Sequence, residues 1–250
     1  MSVMNQPLFV FVPGAWHTPD VFDAVRDLLA KRGFESVPIA TPSVGSPDNQ
    51  TGLYADVGYT RGIVYDLVNK GRQVIIVGHS YGGAVSPCAV EGLGWAMRAQ
   101  SGLSGGVIMV VWLAAFVFKK GQSGLDLIGN WLPWMVHNDD GYVDSAYQED
   151  IFYNDMTPEA QKTAILKLQP QPLRCFIEPI TYESWHDIPS FYIFCDKDNA
   201  LPLLLQESCA AILGEPGKFH IDASHSAFLS APDKVVEALE QAAKEGQEKM

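Results

Sequence analysis

The sequence predicts an α/β fold, in which helices cover both faces of a mostly parallel central sheet of about six strands. Two observations support this prediction. Short apolar segments typical of buried strands alternate with longer segments whose apolar residues repeat at helical spacing. In addition, 47% of the 250 residues are hydrophobic and only 18% are charged, so the chain can bury a substantial core within one domain.

Each predicted strand is a short apolar or β-branched run. The first helix is predicted to begin at Pro19, with Thr18 as its cap, and to end at Gly33. The helices that follow show the same periodicity. The predicted strands are 8–12, 36–40, 73–77, 107–113, 191–195 and 218–221, and further helices are predicted at 54–70, 203–213 and 232–243.

One stretch of about 70 residues, 119–188, lacks this alternation. It is rich in aromatic residues and contains a proline-rich segment near residue 170. Because it is too long for a plain connection, we expect a helical lid inserted over one edge of the sheet. The predicted organisation is therefore a core formed by 1–118 and 189–250 with a lid at 119–188, all within one structural domain.

The net charge and the cysteine pattern indicate which partners and which cellular location to expect. The formal net charge of −12 argues against a nucleic acid or an anionic membrane surface as the main partner. The longest apolar run, 107–118, is too short to span a membrane, and the N-terminus has no basic region typical of a secretory signal. The four cysteines form no CxxC pair, so we expect free thiols and a cytoplasmic location.

The strongest chemical signal is the segment Gly78-His79-Ser80-Tyr81-Gly82-Gly83, which directly follows a predicted buried strand and precedes a helical stretch. This is the G-x-S-x-G pattern in its required context of strand, tight turn and helix. The glycines allow chain and substrate to approach closely, while the strained turn lifts the serine hydroxyl out of the sheet. Ser80 is therefore the candidate nucleophile.

A serine nucleophile needs a base, and the base needs a carboxylate that orients it. Among six histidines, His225 is the best candidate base, because it lies in a small-residue loop between the last predicted strand and the last helix. Asp198 is the favoured acid, since it lies in the turn after strand 191–195. Asp196 and Asp126 are left as alternatives. The order Ser80, Asp198, His225 is that of G-x-S-x-G hydrolases.

The loop after the first strand is expected to complete an oxyanion hole. Backbone amides of Ala15 in that loop and of Tyr81, the residue after the candidate nucleophile, are the predicted donors. No motif indicates a metal or a nicotinamide cofactor, and we expect none.

Taken together, these motifs resemble the α/β-hydrolase superfamily, and within it the plant methyl-ester esterases, the α-hydroxynitrile lyases and their microbial relatives. The resemblance rests on Gly14-Ala15-Trp16-His17, on the Ser80 turn, on Asp198 with Pro202, and on Ala223-Ser224-His225. It implies the α/β-hydrolase fold with Ser80 as nucleophile, His225 as base, Asp198 as acid, and Ala15 and Tyr81 as oxyanion donors.

Three positions depart from the family pattern. Plant members have histidine where this chain has Pro13. The lyases have threonine at the position of Gly14 and lysine at that of Ser226, which follows the candidate base. Without that ammonium a leaving cyanide has no cationic partner, so the resemblance favours hydrolysis.

The sequence thus predicts a serine esterase or lactonase acting on a small, hydrophobic substrate. The alternatives are hydrolytic C–C cleavage or lyase chemistry by the same residues, or a ligand-binding protein on a hydrolase scaffold with little turnover. Aromatic side chains of the insertion are expected to form the substrate pocket, and a homodimer is compatible with the sequence. The candidate substrate-binding residues are Trp16, Trp131, Trp134 and Trp185.

Overall fold

A computed structural model describes residues 6–250, and its centre is a six-stranded sheet in which every neighbouring pair of strands is parallel. From one edge of the sheet to the other, the strands are Ser36–Pro38, Leu8–Val12, Gln73–His79, Gly106–Leu113, Ser190–Cys195 and Gly217–Ile221. The predicted α/β architecture with a parallel sheet of six strands is therefore confirmed. The strands of the described chain are β1 (Leu8–Val12), β2 (Ser36–Pro38), β3 (Gln73–His79), β4 (Gly106–Leu113), β5 (Met135–His137), β6 (Tyr142–Ser145), β7 (Gln171–Pro172), β8 (Ser190–Cys195) and β9 (Gly217–Ile221).

Helices connect the strands and cover both faces of the sheet. Within the described residues, two short 3-10 helices lie at Pro19–Phe22 and Ser184–His186. The predicted first helix thus begins as a 3-10 turn and becomes α-helical at Asp23. The α-helices within residues 6–250 are α1 (Asp23–Lys31), α2 (Leu53–Asn69), α3 (Gly82–Ala89), α4 (Trp95–Gln100), α5 (Gly124–Ile128), α6 (Gln148–Ile151), α7 (Pro158–Ile165), α8 (Arg174–Ile177), α9 (Leu203–Ile212), α10 (Ala227–Ser230) and α11 (Pro232–Glu248).

Alternate residues of each central strand pack into one of two cores. In β1, Val10 faces the core that includes α2, α3 and the segment 119–188, whereas Phe9 and Phe11 face α1 and α11. Strands β3 and β4 are buried over nearly their whole length. This burial explains the continuous apolar runs in the sequence, since a parallel sheet covered on both faces exposes neither side to water.

The segment 119–188 is not purely helical. Strands β5, β6 and β7 form a small antiparallel sheet beside the short helices α5 to α8. The expectation of helices alone missed these strands, because runs of two to four residues are too short for a period-two pattern. That the segment acts as a lid stays a prediction.

Within residues 6–250, the helices are all too short or too polar to cross a membrane. The expectation that the chain has no secretory signal rests on the extreme N-terminus. Residues 1–5 lie outside the described part of the chain.

Candidate active site

The loops that follow five parallel strands meet at one edge of the sheet. Register pairs Val12 with Gly78, His79 with Leu113, and Cys195 with Ile221. The segments just beyond these strand ends carry Ala15, Ser80, Asp198 and His225, in a crevice position where α/β folds bind ligands. The sheet topology therefore brings together candidates separated by more than two hundred residues.

Ser80 occupies a strained turn between β3 and α3. Its φ of 50° lies in the left-handed region, which a non-glycine residue rarely adopts. The turn is held because the Ser80 amide donates to Leu113 O (3.2 Å) and the Gly83 amide donates to Ser80 O (2.9 Å). A Cβ atom at Gly82 would lie 2.5 Å from Val12 O, so only glycine fits there.

His225 and Asp198 form a buried hydrogen-bonded pair. His225 Nδ1 lies 2.7 Å from Asp198 Oδ2, and both side chains are almost fully shielded from water. The other carboxylate oxygen accepts from the amides of Ala200 (2.7 Å) and Leu201 (2.8 Å). These donors stabilise the charged carboxylate and fix its orientation, so Nδ1 carries a proton and Nε2 is left available.

The alternative acids have other partners. Asp196 Oδ1 lies 2.8 Å from His220 Nδ1 at the protein surface. Asp126 caps α5, where its carboxylate accepts from the amide and hydroxyl of Ser123. Neither carboxylate contacts His225 in the described chain, which leaves Asp198 as the acid that the geometry pairs with this histidine.

In the described chain no hydrogen bond joins Ser80 Oγ to His225. The two residues are nevertheless linked through His79, whose Nε2 donates to the His225 carbonyl at 3.0 Å and whose ring lies 4.5 Å from the His225 ring. Contacts between a nucleophile and its base are often long without substrate and shorten when substrate binds.

Two backbone amides beside Ser80 are unused. The amides of Ala15 and Tyr81 donate to no acceptor within residues 6–250, and both residues line the same cavity as Ser80. The neighbouring amide of Trp16 is occupied, because it donates to Gln171 Oε1 at 2.9 Å. The geometry therefore leaves free the two amides predicted from the sequence as oxyanion donors.

Two further histidines are buried and neutral. Burial lowers the pKa of His17 to about 4, an effect that the charge of His225 reinforces and a hydrogen bond to Ala15 opposes. Burial also holds the pKa of His79 well below its usual range. His17 Nδ1 donates to Ala15 O (2.7 Å), so its Nε2 accepts from the Tyr153 hydroxyl (2.9 Å). His17 thus connects the loop after β1 to the segment 119–188.

An apolar cavity opens at Ser80. Its walls are mainly aromatic and aliphatic, and the charged residue among those that line it is Glu178, which Arg174 neutralises through contacts of 2.8 Å and 2.6 Å to Oε1. Aromatic wall residues come from the loop after β1, the turn at Ser80, the loop after β4 and the segment 119–188. They are Trp16, Tyr81, Phe116, Phe118, Trp134 and Phe176.

Two of the four candidate tryptophans line this cavity. Trp16 and Trp134 do so and contact each other edge to face, with ring centroids 5.9 Å apart. Trp131 lies outside the cavity wall and stacks on His137, while Trp185 packs against Trp112. Trp131, Trp134 and Trp185 all lie in the irregular segment 119–188, so the sequence pattern does not distinguish the tryptophan that lines the cavity from the two that do not.

Sequence reasoning missed several cavity residues. Phe116 and Phe118 follow the end of β4, and that position could have identified them, because strand ends meet at the site. Phe176 lies in α8 and Glu178 directly follows this helix, so neither residue is next to the end of a central strand.

Comparison with known proteins agrees with the fold. A model of the alpha/beta hydrolase family matches residues 9–238, and the chain belongs to this family. It is 30% identical to the alpha/beta hydrolase nvfD of Aspergillus novofumigatus, over 97% of this chain and 98% of that protein. It is 25% identical to Methylesterase 18 of Arabidopsis thaliana, over 96% and 98% of the two chains.

A solved structure shows the same architecture. The methylesterase MES16 from Arabidopsis superposes with a TM-score of 0.74, covering 95% of this chain and 99% of that chain at 22% identity. At this identity the likeness concerns the fold.

The buried neutral His17 predicts a loss of stability in acid. The unfolded chain binds a proton at this residue below about pH 6.5, whereas the folded chain does so only near pH 4. Stability should therefore fall as pH is lowered. Between about pH 7.5 and about pH 5, the free energy of unfolding measured with urea should fall by roughly 2 kcal/mol more in the wild type than in His17→Gln.

The exposed His186 supplies the control, since its side chain is 65% accessible. His186→Gln should keep the wild-type pH dependence. An equal loss of stability in the wild type and His17→Gln would contradict the assignment of His17 as a buried, neutral group.

Proposed function

We propose that the protein is a serine hydrolase that cleaves a small, largely apolar carboxylic ester or lactone through an acyl-enzyme. The observation that carries this proposal is the buried pair of Asp198 and His225, at the sheet edge where the strained Ser80 turn opens into an apolar cavity. In this proposal Ser80 is the nucleophile, His225 the general base and Asp198 the orienting acid.

In the first half of the reaction, Ser80 Oγ attacks the ester carbonyl carbon and His225 Nε2 accepts the hydroxyl proton. The carbonyl oxygen becomes an oxyanion, which accepts hydrogen bonds from the free amides of Ala15 and Tyr81. Asp198 stabilises the imidazolium through its 2.7 Å contact with Nδ1. His225 then protonates the leaving alkoxide, the C–O bond breaks, and the alcohol departs.

In the second half, water replaces the alcohol. His225 accepts a proton from this water, whose oxygen attacks the acyl carbon of the Ser80 ester. The same two amides hold the second oxyanion, and the acid leaves when Ser80 Oγ recovers its proton from His225. A lactone follows the same steps, but its alcohol and acid remain in one product.

Substrate preference follows from the cavity wall. Six aromatic residues and the neutralised Glu178 favour an uncharged apolar acyl or aryl group. We propose that residues 119–188 form a lid over it, because Trp134 and Phe176 of this segment supply part of the wall. The methylesterase names of similar proteins support an ester, and a methyl ester is the first substrate to test.

Ester turnover tests the proposal. The wild type should hydrolyse p-nitrophenyl esters of short acyl chains and methyl esters of aryl acids, whereas Ser80→Ala should lose the activity by several orders of magnitude. Binding of these esters without turnover would instead favour a ligand-binding protein on a hydrolase scaffold. Turnover confined to β-diketones would favour hydrolytic C–C cleavage.

The two neighbouring acids offer a matched comparison. Asp198→Asn removes the carboxylate that orients His225, and in a comparable triad this change lowers kcat by about 10⁴. Asp196→Asn alters a surface carboxylate whose partner is His220, so kcat should change by less than about twofold. Steady-state kinetics with one ester measure both variants, and the reverse ranking would refute the choice of acid.

A further inference from the structure

A fully buried carboxylate lies close to the candidate site but has no part in the triad. Asp56 is on α2 and is completely shielded from water. Its Oδ1 accepts from the Ser43 amide (2.8 Å), and its Oδ2 accepts from the Ser43 hydroxyl (2.6 Å) and the Tyr81 hydroxyl (2.7 Å). Burying a carboxylate costs free energy, and the three donors offset this cost by forming a buried polar cluster of fixed geometry.

The cluster continues to the loop after β1. Gln171 of β7 is also completely buried, and its Nε2 donates to Ser43 Oγ at 2.8 Å. Its Oε1 accepts from the Trp16 amide at 2.9 Å. The unbroken chain of hydrogen bonds therefore runs from Tyr81 through Asp56, Ser43 and Gln171 to Trp16.

Both ends of this chain lie at the candidate oxyanion hole. Tyr81 carries one of the two free amides, and Trp16 directly follows Ala15, which carries the other. The peptide between Ala15 and Trp16 is fixed on both sides, because its carbonyl accepts from His17 and its amide donates to Gln171. Trp16 also has a φ of 65°, a strained conformation that needs such support.

Opposing effects act on the pKa of Asp56, and the net direction is upward. Burial raises its pKa, while the hydrogen bonds from Ser43 and Tyr81 act in the opposite direction. Burial, reinforced by the charge of Asp56, raises the pKa of the adjacent Cys175 thiol to about 12, so this cysteine stays protonated. The Tyr81 hydroxyl likewise stays protonated and donates, since burial holds its pKa well above the usual range.

We propose that Asp56 and Gln171 are positioning residues that set the distance between the amides of Ala15 and Tyr81 through this chain of hydrogen bonds. The inference rests on the proposed function, because it assigns those amides to an oxyanion. Loss of one link should loosen the hole while leaving the apolar cavity and ground-state binding intact. The effect should therefore appear in transition-state stabilisation and not in substrate affinity.

Two near-isosteric variants break the chain at different links. Tyr81→Phe removes only a hydroxyl, and Gln171→Met replaces the amide with an apolar side chain of similar length. The control is Tyr192→Phe, which removes another buried tyrosine hydroxyl, one that donates to Ala115 O at 2.7 Å outside this cluster. Melting temperatures of all three variants establish that each is folded.

The probe pair is an aryl trifluoromethyl ketone, to which a serine nucleophile adds to give a tetrahedral oxyanion, and the corresponding methyl ketone, which binds without adduct formation. In Tyr81→Phe and Gln171→Met, the inhibition constant of the trifluoromethyl ketone should rise about tenfold or more, with kcat falling by a similar factor. The methyl ketone constant and KM should change by less than about threefold. The double variant should be no worse than the poorer single variant, because both act through one chain.

A second measurement does not depend on catalysis. Amide hydrogen exchange at Trp16 should accelerate in Tyr81→Phe but not in Tyr192→Phe, since only the first change reaches Gln171 through Asp56 and Ser43. The positioning proposal would be overturned if Tyr81→Phe changed neither the exchange rate of the Trp16 amide nor the ratio of the two ketone inhibition constants. It would also be overturned if Tyr192→Phe had the same effect as Tyr81→Phe. A wild type that forms no adduct with the trifluoromethyl ketone would refute the proposed function instead, and the exchange data would still decide the positioning proposal.

Discussion

The strained turn at Ser80 is the constraint on which the rest of the site depends. A left-handed serine between β3 and α3 is tolerated only where surrounding contacts hold it. Here the bond from the Ser80 amide to Leu113 O joins the turn to β4, and Val12 O at the end of β1 touches the position that a side chain at Gly82 would fill. The ends of the neighbouring strands β1, β3 and β4 therefore fix the position of the Ser80 hydroxyl.

Buried polar groups then connect this turn to the remaining loops. His79 donates to the carbonyl of His225, and His17 donates to that of Ala15. Gln171 accepts a hydrogen bond from the Trp16 amide. Each of these side chains is buried, so each hydrogen bond forms in a low-dielectric environment where geometry is strongly enforced. Backbone positions at the site are therefore set by side chains from distant elements as well as by the sheet.

The sequence was sufficient to predict the sheet, because parallel strands covered on both faces must be continuously apolar. It also identified the Ser80 turn, whose glycines are required by local close approach. It favoured Asp198 as the acid and kept Asp196 and Asp126 as alternatives. Asp198 and Asp196 lie two residues apart and are distinguished by their tertiary surroundings. The contact of Asp198 with His225, and of Asp196 with His220, distinguishes their environments, while the catalytic role of Asp198 stays a prediction.

Other features had no signal that local reasoning could use. The partners of Asp56 are 13 and 25 residues away along the chain, and Gln171 contacts Trp16 across 155 residues. One clue was present, since Asp56, Thr60, Val64 and Val68 form a stripe at four-residue spacing on the buried side of α2. An acid on such a stripe indicates a buried partner but does not identify it.

Covalent labelling tests the central claim most directly. An alkyl fluorophosphonate should add one mass increment to the intact wild-type protein, and peptide mapping should place it on Ser80, because the activated hydroxyl attacks phosphorus as it would attack an ester carbonyl. Ser80→Ala should gain no mass under the same conditions. Labelling at another residue, or equal labelling of Ser80→Ala, would contradict the assignment of Ser80 as the nucleophile.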